Sequence, residues 1–115
     1  MKRYCRALDL VDDPALIEKY IWHHAPENHW PELQTLLRES GVLSMEIYRF
    51  GTRMFMIMDV DDSFSFERME QVHQHPVSKK WEELMWQFQK PVPGASEGEK
   101  WVLMERVFQF PVLES

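Results

Sequence analysis

The sequence predicts an α+β fold in which an antiparallel sheet carries helices on one face. Three observations indicate this class: runs of alternating residues typical of strands, apolar residues at helical spacing, and a chain order in which the two patterns alternate. The 115 residues, 44% of them hydrophobic and 28% charged, suit one globular domain spanning 1–115.

In the first half of the chain, residues 3–11 are predicted to form a strand with one face better buried than the other, the two faces being Tyr4, Arg6, Leu8 and Leu10, and Cys5, Ala7, Asp9 and Val11. Asp13 then suits a helix N-cap, and Pro14 suits the first helical position because its missing N–H had no partner there. We expect this helix to run to about His24. A second amphipathic helix is predicted over residues 30–40.

The middle of the chain predicts a hairpin. Residues 45–50 and 53–60 are strand-like, and Gly51 with Thr52 forms the short turn between them. The run 54–58 is wholly apolar, as expected for a central strand that is covered on both faces.

The last part of the chain continues with helices, a loop and a strand. A helix begins after the caps at 61–63 and breaks at Pro76, and another follows over 77–89. A loop over 91–98 then leads to a last strand over 101–108. The resulting order is strand, helix, strand, strand, helix, strand, with both helical segments split in two, and the ferredoxin-like split βαβ topology fits it. Two copies packed face to face would cover the free side of such a sheet, so we expect a homodimer that is α/β-barrel-like.

Composition and charge exclude several classes of function. A net charge of −6 and the lack of a basic stripe argue against nucleic-acid binding and lean towards a neutral or cationic small molecule. Cys5 is the single cysteine, so an intramolecular disulfide is excluded and an inert thiol is expected. No signal peptide or membrane span is evident, which predicts a cytoplasmic protein without a membrane partner.

The densest group of candidate site residues lies between Tyr20 and Glu32. Tyr20 and His24 are four residues apart on the predicted helix, so their phenol and imidazole share a face. An imidazole exchanges protons near pH 7, and aromatic rings such as Trp30 can stack on a sugar. A lone histidine is nevertheless more often structural, and the apolar stripe that contains Trp81 is more often core than ligand pocket.

A metal site is the weaker interpretation of the same segment. His23, His24, His29 and Glu27 could supply zinc ligands, but no standard ligand spacing occurs and no cysteine contributes. We therefore expect no metal. From the residues alone, the segment indicates a small α+β domain with a His, Tyr and Trp cluster and no named substrate.

The chain resembles the L-rhamnose mutarotase family over nearly its whole length. A Tyr, a His four residues later and then Trp-Pro-Glu form its most specific combination. The segments that carry the resemblance are YIWHH at 20–24, WPEL at 30–33, MEIYR at 45–49, RMFMIM at 53–58, WEELM at 81–85 and WVLME at 101–105. The resemblance implies a dimeric ferredoxin-like fold, no metal, and a histidine that donates a proton.

Carried over by position, the resemblance implies that Tyr20 and Trp81 bind the sugar and that His24 is the proton donor. The Trp-Pro-Glu motif adds Trp30 and Glu32 as candidate sugar contacts. Three departures from the family pattern follow.

The segment between His24 and the Trp-Pro-Glu motif is two residues longer than usual, which leaves His23 and His29 as alternatives for the catalytic position. A second binding Tyr of the family falls at Met45, and the second residue of its Trp pair falls at Glu82. L-rhamnose and L-fucose therefore both remain candidate substrates.

Interconversion of sugar anomers needs one acid and one base, and no cofactor. The proton of O1 leaves while the ring oxygen receives one, and the free aldehyde then rotates and closes on its other face. His24 would protonate the ring oxygen, whereas a water, Tyr20 or Glu32 would serve O1. General acid–base catalysis of this kind contributes roughly 10²- to 10⁴-fold. Rival interpretations are a small monooxygenase or haem-handling protein on the same fold, and a ligand-binding or oligomerisation domain without catalysis.

Overall fold

A computed structural model describes residues 1–111, so residues 112–115 of the predicted domain lie outside the described residues. The elements in chain order are β1 (Lys2–Leu10), α1 (Pro14–His24), α2 (Pro31–Glu39), β2 (Val42–Phe50), β3 (Arg53–Val60), α3 (Phe66–Val72), α4 (Pro76–Trp86), β4 (Gln89–Lys90) and β5 (Val102–Leu103). Within residues 1–111, no helix combines the length and the apolar character needed to cross a membrane.

The sheet has the strand order β2-β3-β1-β4, and its neighbours pair antiparallel. β4 and β5 pair with the same edge of β1. β5 pairs with the middle of β1, and β4 pairs with its C-terminal end. This order, with helices inserted after β1 and after β3, confirms the predicted ferredoxin-like split βαβ fold.

α1 begins and ends where the sequence predicts. The Asp13 carboxylate accepts hydrogen bonds from the backbone N–H groups of Ala15 at 2.9 Å and Leu16 at 3.3 Å, and Pro14 occupies the first turn. These bonds satisfy amide groups that would otherwise lack a partner. α1 ends at His24, which places the last turn of this helix at the site described below.

The two faces of the sheet differ in what covers them. On the inner face the helices pack against Leu8, Met54, Met56 and Met58, whose exposure is 5% or less. Arg6, Met45 and Ile47 are in register with these side chains and share the inner face. The outer face carries the alternate residues of the same strands: Cys5, Ala7, Tyr48, Phe55, Ile57 and Val102.

Three predictions about these elements are wrong in detail. Within one chain the run 54–58 is buried on its inner face, while Phe55 and Ile57 on the outer face are half-buried, so the predicted cover on both faces stays a prediction that depends on a second copy. The second strand begins at Val42 rather than at residue 45. α4 ends at Trp86, and residue 89 starts β4 instead of closing the helix.

The last strand is also shorter than the predicted 101–108. Only Val102 and Leu103 form β5, and the Met104 N–H adds one further bond to the Cys5 carbonyl at 2.8 Å. The segment stays mostly apolar to residue 108, but it leaves the edge of β1 after Met104. A strand needs a partner as well as a pattern, and beyond Met104 no described strand pairs with the segment up to residue 111.

Candidate active site

A cavity of about 130 Å³ lies between the inner face of the sheet and the helices. An apolar cavity of about 150 Å³ accommodates one benzene ring, so this space suits a molecule the size of a single ring. The polar side chains on its wall are those of Arg6, Tyr20, His24, His29, Ser40, His73, Ser78, Glu82 and Gln89. Most of the remaining wall is Leu, Ile, Val and Met.

His24 is the last residue of α1, and its ring faces this cavity. Its Nδ1 lies 2.8 Å from the backbone carbonyl oxygen of Tyr20. A carbonyl oxygen can only accept, so Nδ1 carries the hydrogen and donates it. In the neutral ring the other nitrogen, Nε2, therefore holds a lone pair, which is the form of a general base.

The surroundings of His24 favour that neutral form. Burial lowers the pKa of His24, the carbonyl bond to Tyr20 opposes this effect, and the nearby rings of His29 and His23 lower the pKa further. The Tyr20 ring lies against His24 with 4.2 Å between ring centroids. Burial raises the pKa of Tyr20 to about 12, partly offset by the Gln89 side chain beside it. Tyr20 thus keeps its proton at neutral pH and acts as a hydrogen-bond donor.

Trp81 on α4 joins the histidines into one aromatic cluster. Its ring centroid lies 5.3 Å from that of His24, 5.2 Å from that of His29 and 5.2 Å from that of Trp30, all at steep angles. Edge contacts of this kind fix ring orientation. Trp81 also lines the cavity, so it holds His24 in place and offers a surface for a ligand.

The structure brings five of the seven predicted site residues to the cavity wall: Tyr20, His24, Met45, Trp81 and Glu82. Trp30 and Glu32 do not reach it. Trp30 packs on Trp81 from outside, and Glu32 is exposed in the first turn of α2. Glu32 is therefore badly placed to take a proton from a ligand in the cavity.

The alternatives for the catalytic histidine separate clearly. His29 lines the cavity and burial lowers its pKa, so it stays an alternative to His24. His23 instead lines a shallow groove on the other side of α1, with Trp22 and Phe88. Its ring lies 5.7 Å from Phe88 by centroids, away from the cavity.

Several cavity residues were missed by the sequence analysis, notably Arg6, His73, Gln89 and Trp101. Each is a single polar or aromatic residue in an otherwise ordinary strand, turn or loop. No local pattern marks them. They meet because α4 packs against β1, α3 packs against β2 and β3, and β5 returns to the edge of β1.

The Glu82 carboxylate has a partner on the cavity wall. Lys100 donates to it at 2.5 Å, and the Lys100 side chain is only 15% exposed. This ion pair neutralises Glu82 without the help of a ligand. Among residues 1–111, no three His, Cys, Asp or Glu side chains come together as metal ligands.

Comparison with solved structures shows the same fold. An L-rhamnose mutarotase from Formosa agariphila superposes with a TM-score of 0.70 at 20% identity, covering 95% of this chain and 98% of that chain. Tetracenomycin F2 cyclase from Streptomyces glaucescens gives 0.66 at 21% identity, covering 98% and 100%. At such identities, the likeness concerns the fold alone.

Sequence comparison is more specific. An L-fucose mutarotase from Xanthomonas campestris pathovar campestris is 40% identical over 109 residues, which is 94% of this chain and 87% of that protein. The model of the L-rhamnose mutarotase family matches residues 3–110. Since both sequence matches run almost end to end, this chain belongs to the L-rhamnose mutarotase family.

Proposed function

We propose that this mutarotase interconverts the α and β anomers of a 6-deoxy-L-hexose, with L-fucose as its preferred substrate and His24 as its acid–base group. The observation that carries the proposal is His24 itself, whose Nδ1–H is held by the Tyr20 carbonyl and whose ring lines the cavity. The 40% identity to an L-fucose mutarotase supports the choice of sugar.

His24 begins the reaction as a base in this proposal. Because burial lowers its pKa, the ring is neutral at pH 7 and Nε2 is free to accept the O1 proton of the sugar. The C1–O1 bond becomes a carbonyl, the C1–O5 bond breaks, and the imidazolium gives its proton to O5. O1 and O5 are both bonded to C1, so one nitrogen can serve them in turn.

Closure reverses these steps. The aldehyde rotates about the C1–C2 bond, O5 attacks its other face, His24 takes the O5 proton, and O1 receives it. Tyr20 is not the base, because a phenol with a pKa of about 12 keeps its proton at pH 7. It supports the reaction by donating a hydrogen bond to a sugar oxygen.

The rest of the cavity supports a 6-deoxy sugar. Trp81 offers an aromatic ring on which the apolar side of a pyranose can stack. The Met45, Met56 and Met69 side chains form an apolar part of the wall that suits a methyl group at C6 better than a hydroxyl. The predicted independence from cofactors stays a prediction.

Saturation-exchange NMR of the anomeric protons tests the proposal. Catalytic amounts of the protein should accelerate α/β exchange of L-fucose, and that of L-rhamnose less. Equal acceleration of both sugars would remove the preference for L-fucose. Failure to accelerate either would contradict the proposed function.

We also propose that two copies pair through the outer face. Phe55 and Ile57 form a half-exposed apolar centre on this face, and the exposed Glu46 lies beside Ile57 on the edge strand β2. Arg3 pairs with Asp59 at one end of the patch and Arg53 pairs with Asp9 at the other, so charged pairs border an apolar centre. This arrangement is typical of a homodimer interface.

The C-terminal segment supports the same partner. Val107, Phe108 and Phe110 are 88%, 78% and 84% exposed, which is unusual for apolar side chains in a row. A second copy packed on the sheet would give them a surface to cover.

The cytoplasmic location predicted from the sequence stays a prediction, which cell fractionation can test.

A further inference from the structure

Arg6 is a cation on the cavity wall whose hydrogen-bonding capacity is largely unused. Its Nε is buried and has no hydrogen-bond partner among residues 1–111. Its Nη2 contacts the Met56 sulfur at 3.6 Å, and sulfur is a weak acceptor. Arg3 and Arg53, on the outer face of the same two paired strands, each bond a carboxylate instead.

Neighbouring side chains leave Arg6 without a strong acceptor. Glu82 is the carboxylate on the cavity wall, and Lys100 already holds it. Burial lowers the pKa of His73, so this neighbour is uncharged at neutral pH. Phe66 offers only its ring face, with 5.9 Å from the guanidinium carbon to the ring centroid. A partly buried guanidinium with unmade hydrogen bonds is costly, and a ligand rich in oxygen atoms would supply them.

The proposed chemistry limits which sugar oxygens are available. His24 serves O1 and O5, so O2, O3 and O4 remain for other groups. A planar guanidinium donates two parallel bonds to adjacent acceptors. The adjacent pairs are O2 with O3 and O3 with O4, and O3 belongs to both.

We propose that Arg6 is a substrate-contacting specificity residue that donates hydrogen bonds to O3 of the sugar and to one neighbouring hydroxyl. This inference rests on the proposed function for the position of C1. In L-fucose the O3 and O4 hydroxyls are cis, whereas in L-rhamnose the cis pair is O2 and O3. The pair that the Arg6 fork contacts therefore decides which sugar the cavity prefers.

The test compares wild type, Arg6→Met and Arg6→Lys in anomeric exchange over a range of L-fucose concentrations. Arg49→Met is the matched control, because Arg49 is exposed at the end of β2 and does not line the cavity. Arg6→Met should raise KM roughly 10- to 100-fold, as expected for lost hydrogen bonds to a charged group, while the maximal rate changes little. Arg6→Lys keeps the positive charge but loses the two parallel donors of the guanidinium, so its KM should lie between those of wild type and Arg6→Met.

The decisive measurement repeats the series with the analogue of L-fucose that lacks the O3 hydroxyl. Wild type should lose about the same affinity for this analogue as Arg6→Met loses for L-fucose. The two changes together should cost little more than either alone, because they remove the same contact. If their effects multiply, or if both Arg6 variants keep the wild-type KM, Arg6 does not contact O3 and the inference fails.

Folding and function are checked separately. Melting temperatures show whether each variant folds, and Arg6→Lys carries the test if Arg6→Met does not. Calorimetric titration with L-fucose measures the Arg6 contact even if the sugar does not exchange. Binding without exchange overturns the proposed function alone, exchange without an effect of Arg6 overturns this inference alone, and neither binding nor exchange overturns both.

Discussion

The inner and outer faces of the sheet are built from alternate residues of the same strands, yet we propose different roles for them: sugar binding for the inner face and dimer assembly for the outer face. On β3, Met56 points to the inner face and lines the cavity, whereas its neighbour Ile57 points to the outer face and is half-buried. On β1, Arg6 and Cys5 divide in the same way. Because side chains alternate along a strand, adjacent residues can be changed to separate catalysis from assembly.

The largest expected effect is the loss of anomeric exchange when His24, which faces the cavity on the inner side of the sheet, is changed. His24→Asn removes the base but keeps a polar side chain of similar size, so anomeric exchange should fall roughly 10²- to 10⁴-fold. The melting temperature and the oligomeric state should stay close to those of wild type. Exchange at the wild-type rate in a folded His24→Asn protein would remove His24 from the mechanism.

The next effect concerns the outer side. Ile57→Lys places an ammonium group in the centre of the proposed interface, so the dimer dissociation constant should rise at least roughly 100-fold. Analytical ultracentrifugation measures this, with Gln34→Lys on the exposed side of α2 as the matched control. Since one chain lines the cavity, the monomeric variant should keep its activity per chain. A dimer as tight as that of wild type would place the interface elsewhere.

The smallest effect is in the pH profile. An imidazole with its ordinary pKa of about 6.5 would lose about three quarters of its neutral form at pH 6. Burial lowers the pKa of His24, so the exchange rate should start to fall at a lower pH than it would with an ordinary imidazole. Clearly more than a quarter of the activity measured at pH 7.5 should therefore remain at pH 6. A midpoint at or above pH 6.5 would show that His24 is not held in its neutral form.

The sequence predicted the elements well where local chemistry determines them. Asp13 and Pro14 fix the start of α1, and Gly51 fixes the turn between β2 and β3. The last strand was predicted too long because the residue types at 101–108 show only that the segment is able to form a strand, not that β1 has a free edge for it. Pairing is a property of the whole sheet and leaves no local signal.

The candidate site was predicted in the same uneven way. Tyr20 and His24 share one helix, so their spacing was sufficient to place them together. Arg6 and His73 lie on elements far apart in the chain, and neither sits in a pattern that marks it. Glu32 was included through its motif, but the position of α2 turns its side chain to solvent.

The most direct test of the central claim uses the methionines as reporters of the two faces. The chain has eight, and Met45, Met56, Met69 and Met85 line the cavity, whereas Met1 and Met104 are exposed outside it. With ¹³C-labelled Met methyl groups, a titration with L-fucose should shift the four cavity signals and leave those of Met1 and Met104 in place. Shifts confined to Met1 or Met104, or no shifts at saturating sugar, would contradict the assignment of the inner-face cavity as the sugar site.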